Sequence, residues 1–333
     1  MKKLVQLVYL GLCIFLLAPV ANAQDKEPVR IIYDADMGPM IDDVGGLAVL
    51  HALADKGEAK ILATIASNRH PTIAQTFDVL NTYYGHPNIP IGVPRGPAVE
   101  IKDVPEFPIL GGWTNYIVQN YPHDVRSNDV VPGATDLYRR VLSEQPDNSV
   151  VIVTVGFMTP LADLLASVPD EYSDLNGKEL IEKKVKRVVS MAGAFPDGRE
   201  YNLYKDMRAS KFAFENWPTE IIYSGFEIGK KVQTGYEIIQ NDEIQNNPVR
   251  DVYRMKIDKN RSSFDQTAVL VGVRGVDPYY ELVEGKITVN WDGSNGWNSN
   301  GKGQYYLVEK QDPQQVADLI DELMQYVPDR YSK

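Results

Sequence analysis

The sequence predicts an α/β fold: a single large domain with a mainly parallel sheet flanked by helices. Three observations carry this. Residues 29–84 read strand–helix–strand–helix, and that alternation implies parallel strands joined by right-handed crossovers. Further short apolar runs recur downstream, each leading into a turn. Finally, 333 residues with 44% hydrophobic and 24% charged side chains make the mix of a folded globular chain and not of a disordered one.

Each element has its own signal. Val29-Arg30-Ile31-Ile32-Tyr33 is a buried strand. Ile41 to Lys56 is a helix, because Leu47, Leu50 and Leu53-Ala54 recur at helical spacing; Asp42-Asp43 occupy its first turn and Gly57 ends it. Ala59 to Ile65 is a second strand and Thr72 to Tyr84 a second helix. Residues 94–132 are rich in Pro and Gly and read as a long loop. Ser149–Val155, Lys186–Met191 and Thr219–Tyr223 are three more strands, Phe264–Val271 a short buried helix, residues 285–308 a hairpin, and Asp312–Tyr326 an amphipathic helix.

The first residues read as a targeting segment. Lys2-Lys3 precede the almost wholly apolar run Leu4–Val20, and Ala21-Asn22-Ala23 is a small-x-small cleavage site. That is the three-part pattern of a secretory signal peptide over residues 1–23; an uncleaved anchor is the alternative, since the run sits at the lower edge of a membrane span. Cleavage leaves residues 24–333 as the domain, secreted or periplasmic, with no further span to hold it at a membrane. The single cysteine, Cys13, lies in the apolar run, so no disulfide framework or thiolate zinc site is expected. A net charge of −11 argues against nucleic acid and anionic membrane faces as partners.

In open α/β sheets ligands sit beyond the carboxyl ends of the strands. The polar residues there are Asp34, Asp36, Asp42 and Asp43, then Ser67, Asn68, Arg69 and His70, then Thr159, and then Glu200 and Asn202. Asp34-Ala35-Asp36-Met37-Gly38-Pro39-Met40-Ile41-Asp42-Asp43 places four carboxylates within ten residues. Four acids this close repel one another unless a cation sits among them. Oxygen donors select calcium or magnesium over zinc. Helix capping by Asp42 explains one or two of the acids but not Asp34 and Asp36 at the end of an apolar strand. Asp265, just before an apolar helical run, reads equally as an N-cap, and Asn202 as a helix or turn cap.

Two known patterns resemble this block. A strand followed by D-x-D is the start of haloacid-dehalogenase-like phosphatases, which would make Asp34 a nucleophile. The nucleoside hydrolase signature, D-T-D-P-G-x-D-D after the first strand, is similar to Asp34-Ala35-Asp36, Gly38 and Asp42-Asp43 with two extra residues before the acid pair. Further blocks resemble that second family in order: Ser67-Asn68, the stretch Gly156–Ala162 containing Thr159, Gly193 with Glu200-Tyr201-Asn202 and Asp206, and Phe264-Asp265. The resemblance runs over roughly residues 29 to 275.

This resemblance to the inosine/uridine-preferring nucleoside hydrolases implies a Rossmann-like hydrolase of N-ribosyl bonds whose calcium ion holds the attacking water. Carried over by position, Asp36, Asp43, the Thr159 carbonyl and Asp265 would bind Ca2+, and Asp36 would take the proton from the water. Asp42, Asn202 and Asp265 would hold the ribose hydroxyls, Glu200 would read the 5′ end, and Asn68 would lie close to the metal. The partner implied is a small nucleoside or related riboside, and a homo-oligomer is compatible with it. Phe264 stands where that family often has a leaving-group His, so a calcium-dependent riboside-binding protein with weak turnover is the alternative. Tyr201, Trp291 and Trp297 are candidates to stack on a base or sugar.

Overall fold

The computed structural model describes residues 27–38, 40–101 and 112–329; the expected leader, residues 1–23, lies outside them. In chain order the strands are β1 (Val29–Ala35), β2 (Ala59–Ala66), β3 (Ile91–Gly92), β4 (Val150–Thr154), β5 (Val185–Ser190), β6 (Glu220–Tyr223), β7 (Gln233–Thr234), β8 (Arg261–Ser262), β9 (Tyr280–Val289), β10 (Asn295–Asn298) and β11 (Gln304–Glu309). The central sheet runs β10-β9-β11-β6-β5-β4-β1-β2-β3. From β3 to β6, and on to β11, every neighbouring pair is parallel; β9 then pairs antiparallel with both β11 and β10. The order reverses between β1 and β4, which opens a crevice beyond their carboxyl ends.

Helices cover both faces, and the strands show it residue by residue. Ile31, Tyr33 and Ala35 face one core with the helices Asp42–Asp55, Phe264–Arg274 and Pro313–Met324. Ile32 faces the other with the helices Ala134–Ser143, Thr159–Ala166 and Met207–Asn216. Burial on both sides is why these strands read as continuous apolar runs. The helix Asp42–Asp55 is buried from Asp42 to Leu53. A helix apolar almost all round belongs in the middle of a fold.

Two sequence expectations change. The stretch 94–132 contains a helix, Gly112–Asn120, and a 3-10 turn, Asn128–Val130. Trp113 and Ile117 of that helix are buried four residues apart, one short apolar stripe inside a Pro- and Gly-rich setting. Residues 285–308 hold more than a hairpin, because a third strand, β11, returns to join β6 and so ties the antiparallel unit to the parallel sheet. No helix among the described residues is long and apolar enough to cross a membrane.

Candidate active site

The acid loop follows β1 and folds back on itself. The backbone N–H groups of Asp36 and Met37 donate to Asp43 Oδ1 at 3.0 and 3.1 Å, and Gly38 N–H donates to Asp36 Oδ1 at 2.9 Å. Asp36 and Asp43 each spend one oxygen on clamping the loop, and their carboxyl groups lie within hydrogen-bonding reach of each other. Tyr33, from the body of β1, donates its hydroxyl to the Asp43 carbonyl at 2.8 Å. The first turn of the helix is therefore tied to the strand before it from both sides.

Asp265 comes from more than 220 residues later, and small residues let it in. A methyl group on Gly46 would stand 2.7 Å from Tyr33 Oη and 3.2 Å from Asp265 Cβ; one on Gly45 would stand 2.3 Å from Tyr253 Oη. Only glycines allow the helices Asp42–Asp55 and Phe264–Arg274 to approach this closely. As a result one carboxylate oxygen each of Asp42, Asp43 and Asp265 lies within 4.8 Å of the others.

The electrostatics follow from the burial. Asp36, Asp42, Asp43 and Asp265 are all buried. Loss of solvent pushes Asp36 up to about 7, and loss of solvent with the Asp43 charge pushes Asp42 up to about 8. Burial, then the charges of their neighbours, raise Asp43 and Asp265 well above the carboxylate range. Such a group is costly unless a cation or protons neutralise it.

These four aspartates line a cavity of about 290 Å³ together with Glu200 and Asn202. Asn202 donates its side-chain amide to the carbonyls of Val155 at 2.8 Å and Met191 at 3.3 Å, bridging the turns that follow β4 and β5. Glu200 caps the short helix Tyr201–Lys205, accepting from the N–H groups of Asn202 at 2.8 Å and Leu203 at 3.1 Å, and from Gly193 N–H at 3.1 Å. Burial lifts it to about 7.

Other expected residues fall elsewhere. Thr159 does not line the cavity: its N–H and hydroxyl both donate to Asp206 Oδ2, at 2.6 and 2.7 Å, fixing the start of a helix. The strand-end residue that does line it is Val155. Asn68 is fully buried under the acid loop, where its amide donates to the Asp36 carbonyl and its Oδ1 accepts from His70 N–H at 2.7 Å. It supports the loop and has no surface to offer a substrate. Arg69 and His70 do not line the cavity either. Asp34 projects to the opposite face of β1, fully buried, and accepts the Tyr138 hydroxyl at 2.7 Å. That placement removes it as the nucleophile of a phosphatase.

The sequence reading missed much of the wall. Arg199, Tyr204 and Phe226 line the cavity beside Tyr201 and Phe264. Phe226 and Phe264 stack with centroids 5.2 Å apart and planes at 21°. Trp291 is exposed and Trp297 packs between Phe195 and Tyr306; neither reaches the cavity.

The sequence model of the inosine-uridine preferring nucleoside hydrolases matches residues 31–321. Comparison with curated protein sequences gives no match. Among solved structures, a plant nucleoside hydrolase superposes with a TM-score of 0.67 at 21% identity, covering 90% of this chain and 99% of its own. The inosine-uridine preferring nucleoside hydrolase of Bacillus anthracis gives 0.68 at 14% identity, covering 89% and 99%. The type III effector protein XopQ, complexed with adenosine diphosphate ribose, gives 0.69 at 13% identity, covering 90% and 94%. These likenesses are of fold: a large α/β domain with a mostly parallel sheet.

Proposed function

The chain belongs to the inosine-uridine preferring nucleoside hydrolase family, which makes it an N-glycosyl hydrolase in type, and from that premise we propose a calcium-dependent hydrolysis of ribonucleosides or a related riboside. The observation that carries the reading is the convergence of Asp36, Asp42, Asp43 and Asp265 in one buried cavity.

The donor set fits a hard divalent cation. It consists of oxygens alone, and the Asp265 carboxyl accepts no hydrogen bond from any described residue while that of Asp42 is met only by its own backbone N–H, so oxygens of both are available. Asp36, Asp43 and Asp265 would hold the ion with the backbone of Val155, which takes the place expected of Thr159. When bound, calcium supplies a positive potential that lowers the pKa of a nearby water and of the carboxylates around it.

The protein's own groups do the rest. Asp36, held by Gly38 N–H through one oxygen, accepts the proton from the attacking water through the other. Asp42 and Asp265 accept from the ribose hydroxyls, with Asn202 beside them. Cleavage passes through an oxocarbenium-like state, and buried carboxylates stabilise the positive charge that develops on the sugar. The leaving base meets the rings of Phe226 and Phe264, which carry no proton to give.

The test is release of free base and ribose from a riboside panel, with and without chelator. Adenosine diphosphate ribose belongs in that panel because XopQ was solved with it. Release that disappears in Asp36→Ala and on chelation is expected; release indifferent to chelation refutes the cation. The absence of an acid at Phe264 favours one second reading, a riboside-binding protein with weak turnover. Ribose binding without base release selects it. We also propose that residues 1–23 direct the chain to a secreted or periplasmic location; a mature N-terminus at Gln24 is the expected finding.

A further inference from the structure

We propose that Arg199, backed by Lys205, makes this cavity select ribosides that carry a phosphomonoester on the 5′ carbon. The inference rests on the hydrolase reading, from which it takes one orientation: Glu200 stands at the position that reads the 5′ end.

Glu200 is poorly placed to receive a 5′ hydroxyl. A carboxylate offers about four acceptor positions, and three backbone N–H groups already occupy its two oxygens. The next residue back has the opposite chemistry. Arg199 lines the same cavity and is exposed. Its Cζ lies 4.0 Å from the centroid of the Tyr204 ring, and its Nε donates to the Asp292 carbonyl at 3.0 Å. Those two contacts fix the plane of the guanidinium. Its terminal nitrogens donate to no group, and it forms no ion pair, among the described residues.

Lys205 does not line the cavity but adds a second cation beside the two tyrosines that do, with Nζ 5.4 Å from the Tyr201 centroid and 5.6 Å from that of Tyr204. It too forms no ion pair among the described residues. Asp292 is the acid whose charge Arg199 feels, and it spends its carboxylate on Ser294, so in a chain of net charge −11 two basic side chains gathered on one ring pair with no direct ion pair are a place for an anion from outside. A fixed guanidinium fork matches two oxygens of a phosphate at once. Recognition at this end is therefore by donors, which a dianionic phosphate engages through several oxygens and a hydroxyl through one. The four aspartates lie around the cation site and repel a free phosphate; one tethered to C5′ is held off from them by the sugar. In the reaction the C1′–N bond breaks, water supplies the new C1′–OH, and the base leaves with the remaining proton, giving ribose 5-phosphate.

The experiment is calorimetric binding of ribose and of ribose 5-phosphate to the full domain with calcium present. Ribose 5-phosphate is expected to bind at least tenfold more tightly. That ratio should fall to near one in Arg199→Gln, take an intermediate value in Arg199→Lys, which keeps the charge but loses the fork, and shrink as salt rises. Lys302→Gln, on the remote antiparallel edge, should keep it. Equal binding of the two ligands, no binding of ribose 5-phosphate, or a ratio that survives Arg199→Gln overturns the proposal. The readout is independent of turnover, so failure of the hydrolase reading shows separately, as no base released from any riboside whether phosphorylated or not.

Discussion

The backbone N–H of Asp36 donates to Asp43 Oδ1 across 3.0 Å. This one bond joins residues seven positions apart, between the end of a strand and the first turn of a helix, and it sets two carboxyl groups side by side in a site with little solvent. Asp43 thus clamps the loop and, on the reading proposed above, would also hold the cation, while Asp36 is clamped through its own backbone and keeps one oxygen free of the loop.

Replacing Asp36 by Asn tests that division of labour. The amide oxygen still accepts from Gly38 N–H, and one of several repelling acids is gone. Thermal unfolding of the metal-free protein should show an unchanged or raised Tm. Base release should fall by about 10²–10⁴-fold, the usual worth of a general base. A large loss of Tm would show that the carboxylate serves the fold.

Calcium should stabilise the native state by mass action. At one hundred times its Kd the gain is about 2.7 kcal/mol, visible as a rise in Tm that chelator reverses. Asp265→Asn should remove most of the rise while leaving the acid loop intact, since no described residue hydrogen-bonds to the Asp265 side chain. Magnesium, which demands tighter octahedral geometry, should give a smaller rise.

Gly46→Ala should cost about 1–3 kcal/mol in denaturant unfolding, the usual range for overpacking. The new methyl would meet Tyr33 Oη at 2.7 Å and Asp265 Cβ at 3.2 Å, so calcium affinity should fall with stability. Tyr33→Phe in the same background removes the nearer atom and should recover part of the loss. A double-mutant cycle would then read a coupling of roughly 0.5–3 kcal/mol.

Stability should also decline in acid because of His51. It is fully buried, its Nε2 pairs with Asn81 Oδ1 at 3.0 Å, its ring stacks on Tyr84 at 4.6 Å, and burial pushes its pKa down to about 3. The unfolded chain takes up a proton near pH 6.5 that the folded chain refuses, so the His51 contribution to stability is full above that pH and is lost as pH falls from 6.5 toward 3. The loss is on the order of a few kcal/mol across the window. His51→Leu should be less stable at neutral pH but should show a flatter acid limb in a series of urea titrations.

The parallel sheet was legible because its strands are apolar runs on a chain that buries both faces, and because each leads into a turn. The acid cluster was legible as unpaired charge at the end of such a run. What stayed hidden depends on distances that sequence does not carry. Gly45-Gly46 looks like a weak spot in a helix until Tyr253 and Tyr33 are seen above it. Thr159 sits in the right stretch, but its hydroxyl is used locally by Asp206, and the neighbouring Val155 has no polar side chain to draw notice. Arg199 and Tyr204 follow β5 and Phe226 follows β6, with no shared spacing, so only the folded chain shows them on one wall. The helix Gly112–Asn120 was concealed by a single buried stripe of two large residues.

The close crossing of the helices Asp42–Asp55 and Phe264–Arg274 has a consequence for how the chain matures. A ribosome that has delivered the first two hundred and fifty residues has supplied every strand from β1 to β6 and three of the four aspartates, yet nothing to close the cage. If the proposed cation binds there, its tight uptake would wait for the last third of the chain to dock and would mark the completion of folding.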